Sequence, residues 1–77
     1  MAATTLDTLI PGQTATVTAV TGDPAVVQRL AEFGLFEGEA VELLGRAPLG
    51  DPIEVRVGQS RISLRLAEAR GVSVIPN

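Results

Sequence analysis

Three stretches of this chain alternate apolar and polar side chains with a period of two, and that period constrains the fold most. From Gln13 to Ala19, Ala15, Val17 and Ala19 point one way, while Thr14, Thr16 and Thr18 point the other. Ile53, Val55 and Val57 oppose Glu54 and Arg56, and Ile62, Leu64 and Leu66 oppose Arg61, Ser63 and Arg65. A period of two is that of a strand with one face buried and one face wet, and these stretches are rich in β-formers. Val41 and Leu43 flank Glu42 in a fourth such run, though Leu44 interrupts it, and Val72-Ser73-Val74 makes a short fifth. The period changes once. After Thr21-Gly22, Asp23 is placed to cap free amides and Pro24 fits a first helical position. Val26, Val27, Leu30, Ala31 and Phe33 then form an apolar stripe at helical spacing, with Gln28, Arg29 and Glu32 outside it. Gly34 sits where a left-handed cap is wanted, and Leu35 is placed to pack back on the last turn.

Five short strands with a helix inserted after the first leave open edges unless the sheet curls. The expected fold is therefore mainly β: a small, partly open barrel, with the short helix over one open side. The 77 residues correspond to one small domain, residues 1–77. Gly58-Gln59 reads as the turn of a hairpin joining the last two long strands. A two-residue turn sets Arg56 opposite Arg61 at a mild cost, and a four-residue loop would avoid that pairing. Ala67 to Arg70 has room for one helical turn.

Composition narrows the function. The chain has no cysteine and no histidine, which removes thiolate nucleophiles, the usual general base and the commonest transition-metal ligands. The serines have no base to activate them, and the carboxylates are scattered at turns and solvent-facing positions, so the chain reads as non-enzymatic, without a cofactor or dedicated metal site. Carboxylates alone form at most a weak hard-cation site, and no calcium-loop spacing is present. Net charge is −3, the six basic residues are dispersed arginines, and there is no Trp or Tyr. Neither a phosphate-binding patch nor a stacking platform results, so nucleic acid is not an expected partner. No apolar run approaches the roughly 20 residues of a membrane span, and the N-terminus lacks the form of a secretory signal. A cytoplasmic protein that works by contact with another protein is expected.

"QRLAEFGLFEG" (Gln28–Gly38), "APLGDPIEVRV" (Ala47–Val57) and "ISLRLAEARGVSV" (Ile62–Val74) together resemble the FeoA family of ferrous iron transport accessory proteins. The matching positions are Arg29-Leu30, Glu32, Gly34-Leu35 and Gly38; Ala47 to Pro52 throughout; and Leu64-Arg65 with Glu68-Ala69. The resemblance runs from about Leu6 to Ile75. It implies an SH3-like barrel related to the C-terminal domain of metal-dependent repressors. It also implies a cytoplasmic partner of the ferrous iron permease, meeting the GTP-binding cytosolic part of that permease. Met1 stands ahead of the barrel with no helix-turn-helix, which favours a free-standing module over a repressor tail. A metal-sensing or oligomerising module is the alternative, and self-association is compatible with either.

The connection Ala47–Pro52 is longer than a strand pair needs. Pro48 and Pro52 stiffen it, Gly50 and Asp51 supply turn geometry, and Leu49 is left as an apolar residue on a rigid loop. One reading is connection only; the other is an anchor offered to a partner at low entropic cost. Phe36 either folds under the helix or joins Leu49 in an exposed apolar patch, with Leu35 beside it. Arg29 and Arg65 are outward by pattern. They serve either as surface ion-pair partners, to Glu32 or Glu54, or as cations reaching a GTP-binding partner. The expected partner-binding set is thus Leu35, Phe36, Pro48, Leu49, Gly50, Asp51, Arg29 and Arg65.

Overall fold

The alternating stretches are strands of one antiparallel sheet in a computed structural model that describes residues 3–77. In chain order the elements are β1 (Thr4–Thr5), a 3-10 turn (Leu6–Thr8), β2 (Thr14–Val20), α1 (Pro24–Glu32), β3 (Ala40–Arg46), β4 (Ile53–Val57), β5 (Ser60–Leu64), α2 (Leu66–Ala69) and β6 (Val72–Pro76). The spatial order is β1-β6-β2-β3-β4-β5. The inward residues of every long strand, among them Ala15, Val17, Val41, Leu43, Val55, Leu64, Val72 and Val74, are buried in one core. Outward neighbours such as Thr16, Glu42, Glu54, Arg56, Arg61 and Ser63 are polar, as an antiparallel sheet with one wet face requires.

Two bulges bend the sheet. Thr18 is the extra residue where β2 meets β6, between Val17↔Val74 and Ala19↔Ser73. Leu44 is the extra residue where β3 meets β4, between Leu43↔Val55 and Gly45↔Glu54. An inserted residue breaks the period of two and sharpens the local twist. That accounts for the interruption at Leu44, and for Ala19 being only half-buried. The β4–β5 hairpin uses the two-residue turn Gly58–Gln59, and Arg56 does stand opposite Arg61. Each arginine turns to a carboxylate instead of its neighbour: Arg56 to Glu42 at 3.3 Å and Arg61 to Glu54 at 3.1 Å.

Helix α1 starts as expected, with Asp23 Oδ1 accepting from Ala25 N at 2.8 Å and Pro24 in the first turn. It ends in a full Schellman arrangement: Leu35 N donates to Leu30 O, and Gly34 N to Ala31 O, both at 2.9 Å. Gly34 has φ +96°, a conformation that favours glycine. The apolar stripe, however, is narrower than its spacing predicts. Leu30 is buried, Val26 and Val27 are half-buried, and Ala31 and Phe33 are exposed. Phe33 is the cap residue, where the chain leaves the helix, and Leu35 takes the core position that the stripe assigns to it.

The N-terminal segment adds a sixth strand that two residues cannot announce by period. β1 pairs with β6 through Thr4↔Val74 and Thr5↔Ser73, and the following turn buries Leu6 and Leu9. Arg46 fastens that turn, its Nη2 donating to Asp7 O at 2.6 Å and Leu9 O at 2.8 Å.

Candidate partner-docking site

The three sequence motifs meet at one end of the barrel. The loop Ala47–Pro52 is closed twice: Gly50 N donates to Ala47 O at 2.7 Å, and Ala47 N to Pro52 O at 2.9 Å. Pro48 occupies the second position of the inner β-turn, where its fixed φ suits the geometry. Leu49, at the tip, is 96% exposed. An apolar side chain held in water on a doubly closed loop loses little conformational entropy when a partner covers it.

Asp51 ties this loop to the next element. Its Oδ1 accepts from Leu66 N at 3.2 Å, at the start of α2. Glu68 Oε1 accepts from Arg65 N at 3.0 Å, one turn back. An arginine side chain has no acceptor to offer in return, so the carboxylate of Asp51, from another segment, caps the next free amide. These two bonds stop β5 at Leu64 and turn the chain into α2. Leu66, expected as a strand residue, therefore begins a helix and is half-buried.

The other oxygen of Glu68 receives Arg29 Nη2 from α1. The partner of Arg29 is thus Glu68, not Glu32 or Glu54, because α1 brings Arg29 to the place where α2 begins. A shallow groove of about 340 Å³ runs between these groups, lined by Arg29, Pro52, Ser63, Leu64, Arg65 and Glu68. Arg65 stands exposed at its lip. Among the described residues it is the arginine whose side chain meets neither a carboxylate nor a carbonyl.

The expected site residues therefore divide. Pro48, Leu49, Gly50, Asp51, Arg29 and Arg65 fall at one end of the barrel. Leu35 is fully buried and belongs to the core, where the helix cap places it, so it offers nothing to a partner. Phe36 is 46% exposed and does not fold under the helix. It precedes β3 while Leu49 follows it, and seven strand residues separate them by roughly 20 Å. The two do not form one patch; Phe33, three residues before Phe36, is likewise exposed at 48%. Glu68, which joins the motifs, escapes a search for outward candidates, although its i+3 spacing from Arg65 is that of a capping residue. Among the described residues no three carboxylates gather closely enough to hold a metal ion. Nor is any helix among them long and apolar enough to cross a membrane.

A bulged antiparallel sheet with one helix on its open side and a rigid loop at one end defines a small SH3-like module. The FeoA domain family model matches residues 4–76. The chain belongs to the FeoA family. Its structure superposes on the FeoA protein of Chlorobium tepidum with a TM-score of 0.90 at 42% identity, covering 94% of this chain and 69% of that one. The zinc complex of Stenotrophomonas maltophilia FeoA, described as a prokaryotic SH3 domain protein, gives a TM-score of 0.79 at 36% identity, over 91% of this chain and 87% of that one. A manganese-dependent transcriptional repressor gives 0.87 at 22% identity, over 97% of this chain and 42% of that one, a likeness of fold. Comparison with curated protein sequences gives no match.

Proposed function

We propose that this chain is an accessory protein of ferrous iron uptake that acts by docking onto the GTP-binding cytosolic part of the ferrous iron permease. Family membership supports the iron-uptake role. The observation that carries the docking reading is Leu49, 96% exposed on a loop closed by two backbone hydrogen bonds and anchored by Asp51 to α2. Arg65, at the same end of the barrel and free of an internal partner, supplies a charge that a carboxylate or phosphate on the partner would meet. Arginine is enriched among the residues that dominate interface energetics.

The permease's cytosolic domain, titrated into the isotope-labelled chain, tests this reading by backbone amide shifts. Perturbations centred on residues 47–52 and 65–68 are expected. Perturbations confined to the Phe33–Gly38 end, or none, would overturn it.

A further inference from the structure

β5 is the last strand of the sheet, and among the described residues nothing pairs with its outer side. Its register fixes which backbone groups face outward. Val57↔Ser60 closes the two-residue turn, so the pairs 57–60, 55–62 and 53–64 exchange the ladder hydrogen bonds. The N–H and C=O groups of Arg61 and Ser63 therefore point away from β4, to the open edge. Neither residue's backbone finds a partner in a turn, loop or cap. Ser60, Arg61 and Ser63 are all exposed, and serine is too small to screen an edge.

Charge decides what this edge can take. Arg56 is paired with Glu42 and Arg61 with Glu54, while Arg65, just past the end of β5, meets no carboxylate. A second copy pairing through its own β5 would add arginines and no new carboxylate for Arg65, an unfavourable juxtaposition. An acidic strand would instead set carboxylates beside Arg61 and Arg65. The edge also leads into the groove lined by Ser63, Leu64 and Arg65, where Glu68 is already engaged by Arg29, so an added strand has somewhere to continue.

We infer that β5 is a strand-addition site for an extended, acidic segment of another protein, bound through the backbone of Arg61 and Ser63. Main-chain hydrogen bonds give such a contact its affinity and flanking side chains give it sign selectivity. Any protein presenting such a strand would fit the edge, whether or not it is the permease.

The test uses capped pentapeptides, Glu-Val-Glu-Val-Glu and Lys-Val-Lys-Val-Lys, at millimolar concentration, with amide hydrogen exchange and shifts of the labelled chain as readout. The acidic peptide is expected to slow exchange at Arg61 and Ser63, and the basic one to leave them unchanged. Ser63→Pro removes one outward donor without touching the ladder to β4, since proline is tolerated where the N–H of an edge strand faces solvent. It is expected to keep the sheet folded and weaken the acidic peptide about tenfold or more. Arg61→Glu should weaken it too, with the fold intact. No protection by the acidic peptide, equal protection by both peptides, or protection by self-association without peptide would each overturn the inference. Unfolding of Ser63→Pro would overturn the register on which it rests.

Discussion

Gly71→Ala is predicted to unfold this protein at a far lower temperature, although alanine is the mildest of substitutions. Gly71 joins α2 to β6 and lies directly against Thr21, the residue that leads into α1. Thr21 N donates to Gly71 O at 2.7 Å, and a Cβ on Gly71 would sit 2.3 Å from Thr21 O. That atom is backbone, so relief requires the two segments to move apart by the better part of an ångström. The movement breaks the Thr21–Gly71 hydrogen bond, worth about 1 kcal/mol, and strains the adjoining Val20↔Val72 pair. Overpacking of this kind adds about 1–3 kcal/mol. Reduced freedom of the unfolded chain returns only about 0.4–1 kcal/mol. The net is a loss of about 2–3 kcal/mol, and for a domain of this size each kcal/mol moves the midpoint by about 4–8 °C. A drop of roughly 10–20 °C in thermal unfolding followed by circular dichroism is expected. Gly45→Ala is the control: no atom lies within 4 Å of its added Cβ, and its φ is not positive. It should change the midpoint by no more than a few degrees. A Gly71→Ala midpoint within about 3 °C of the parent would refute the close approach of Thr21.

Asp51→Ala removes the cap on Leu66 N and should cost about 1 kcal/mol in urea unfolding. Leu49→Ala, two residues away and fully exposed, should leave the same midpoint unchanged. A double-mutant cycle of Arg29→Ala and Glu68→Ala should give a coupling below about 1 kcal/mol that shrinks in salt, because Arg29 is half-exposed. Leu35→Ala should destabilise by about 2–5 kcal/mol, as a buried leucine, whereas Phe36→Ala should be nearly neutral in chemical unfolding.

Strand identity was legible wherever the period of two ran unbroken, as in Ile53–Val57, because burial on one face writes itself into the sequence. The period broke where one residue was inserted, at Leu44, though the run still read as a strand, and it was absent where the strand was too short to have one, at Thr4–Thr5. The cap at Asp23 was legible because its partner lies two residues away. The cap that Asp51 supplies to Leu66 was not, since fifteen residues and a hairpin separate them. A still longer separation, 39 residues, hid the partner of Arg29, expected at Glu32 or Glu54 and found at Glu68. Phe33 matched the helical stripe and yet faces water, because the helix ends there and Leu35 folds back in its place. The rigid loop at Ala47–Pro52 was visible from its prolines; its separation from Phe36 needed the direction of β3.

In the proposed complex Leu49 is the anchor of a docking surface at one end of the barrel. Isothermal titration of the permease's cytosolic domain with the parent chain, with Leu49→Asp and with Phe36→Asp tests it most directly. Leu49→Asp should weaken binding at least about tenfold, as loss of a buried anchor does, while Phe36→Asp should bind as the parent does. Equal affinity for the parent and Leu49→Asp, or a loss confined to Phe36→Asp, would contradict it.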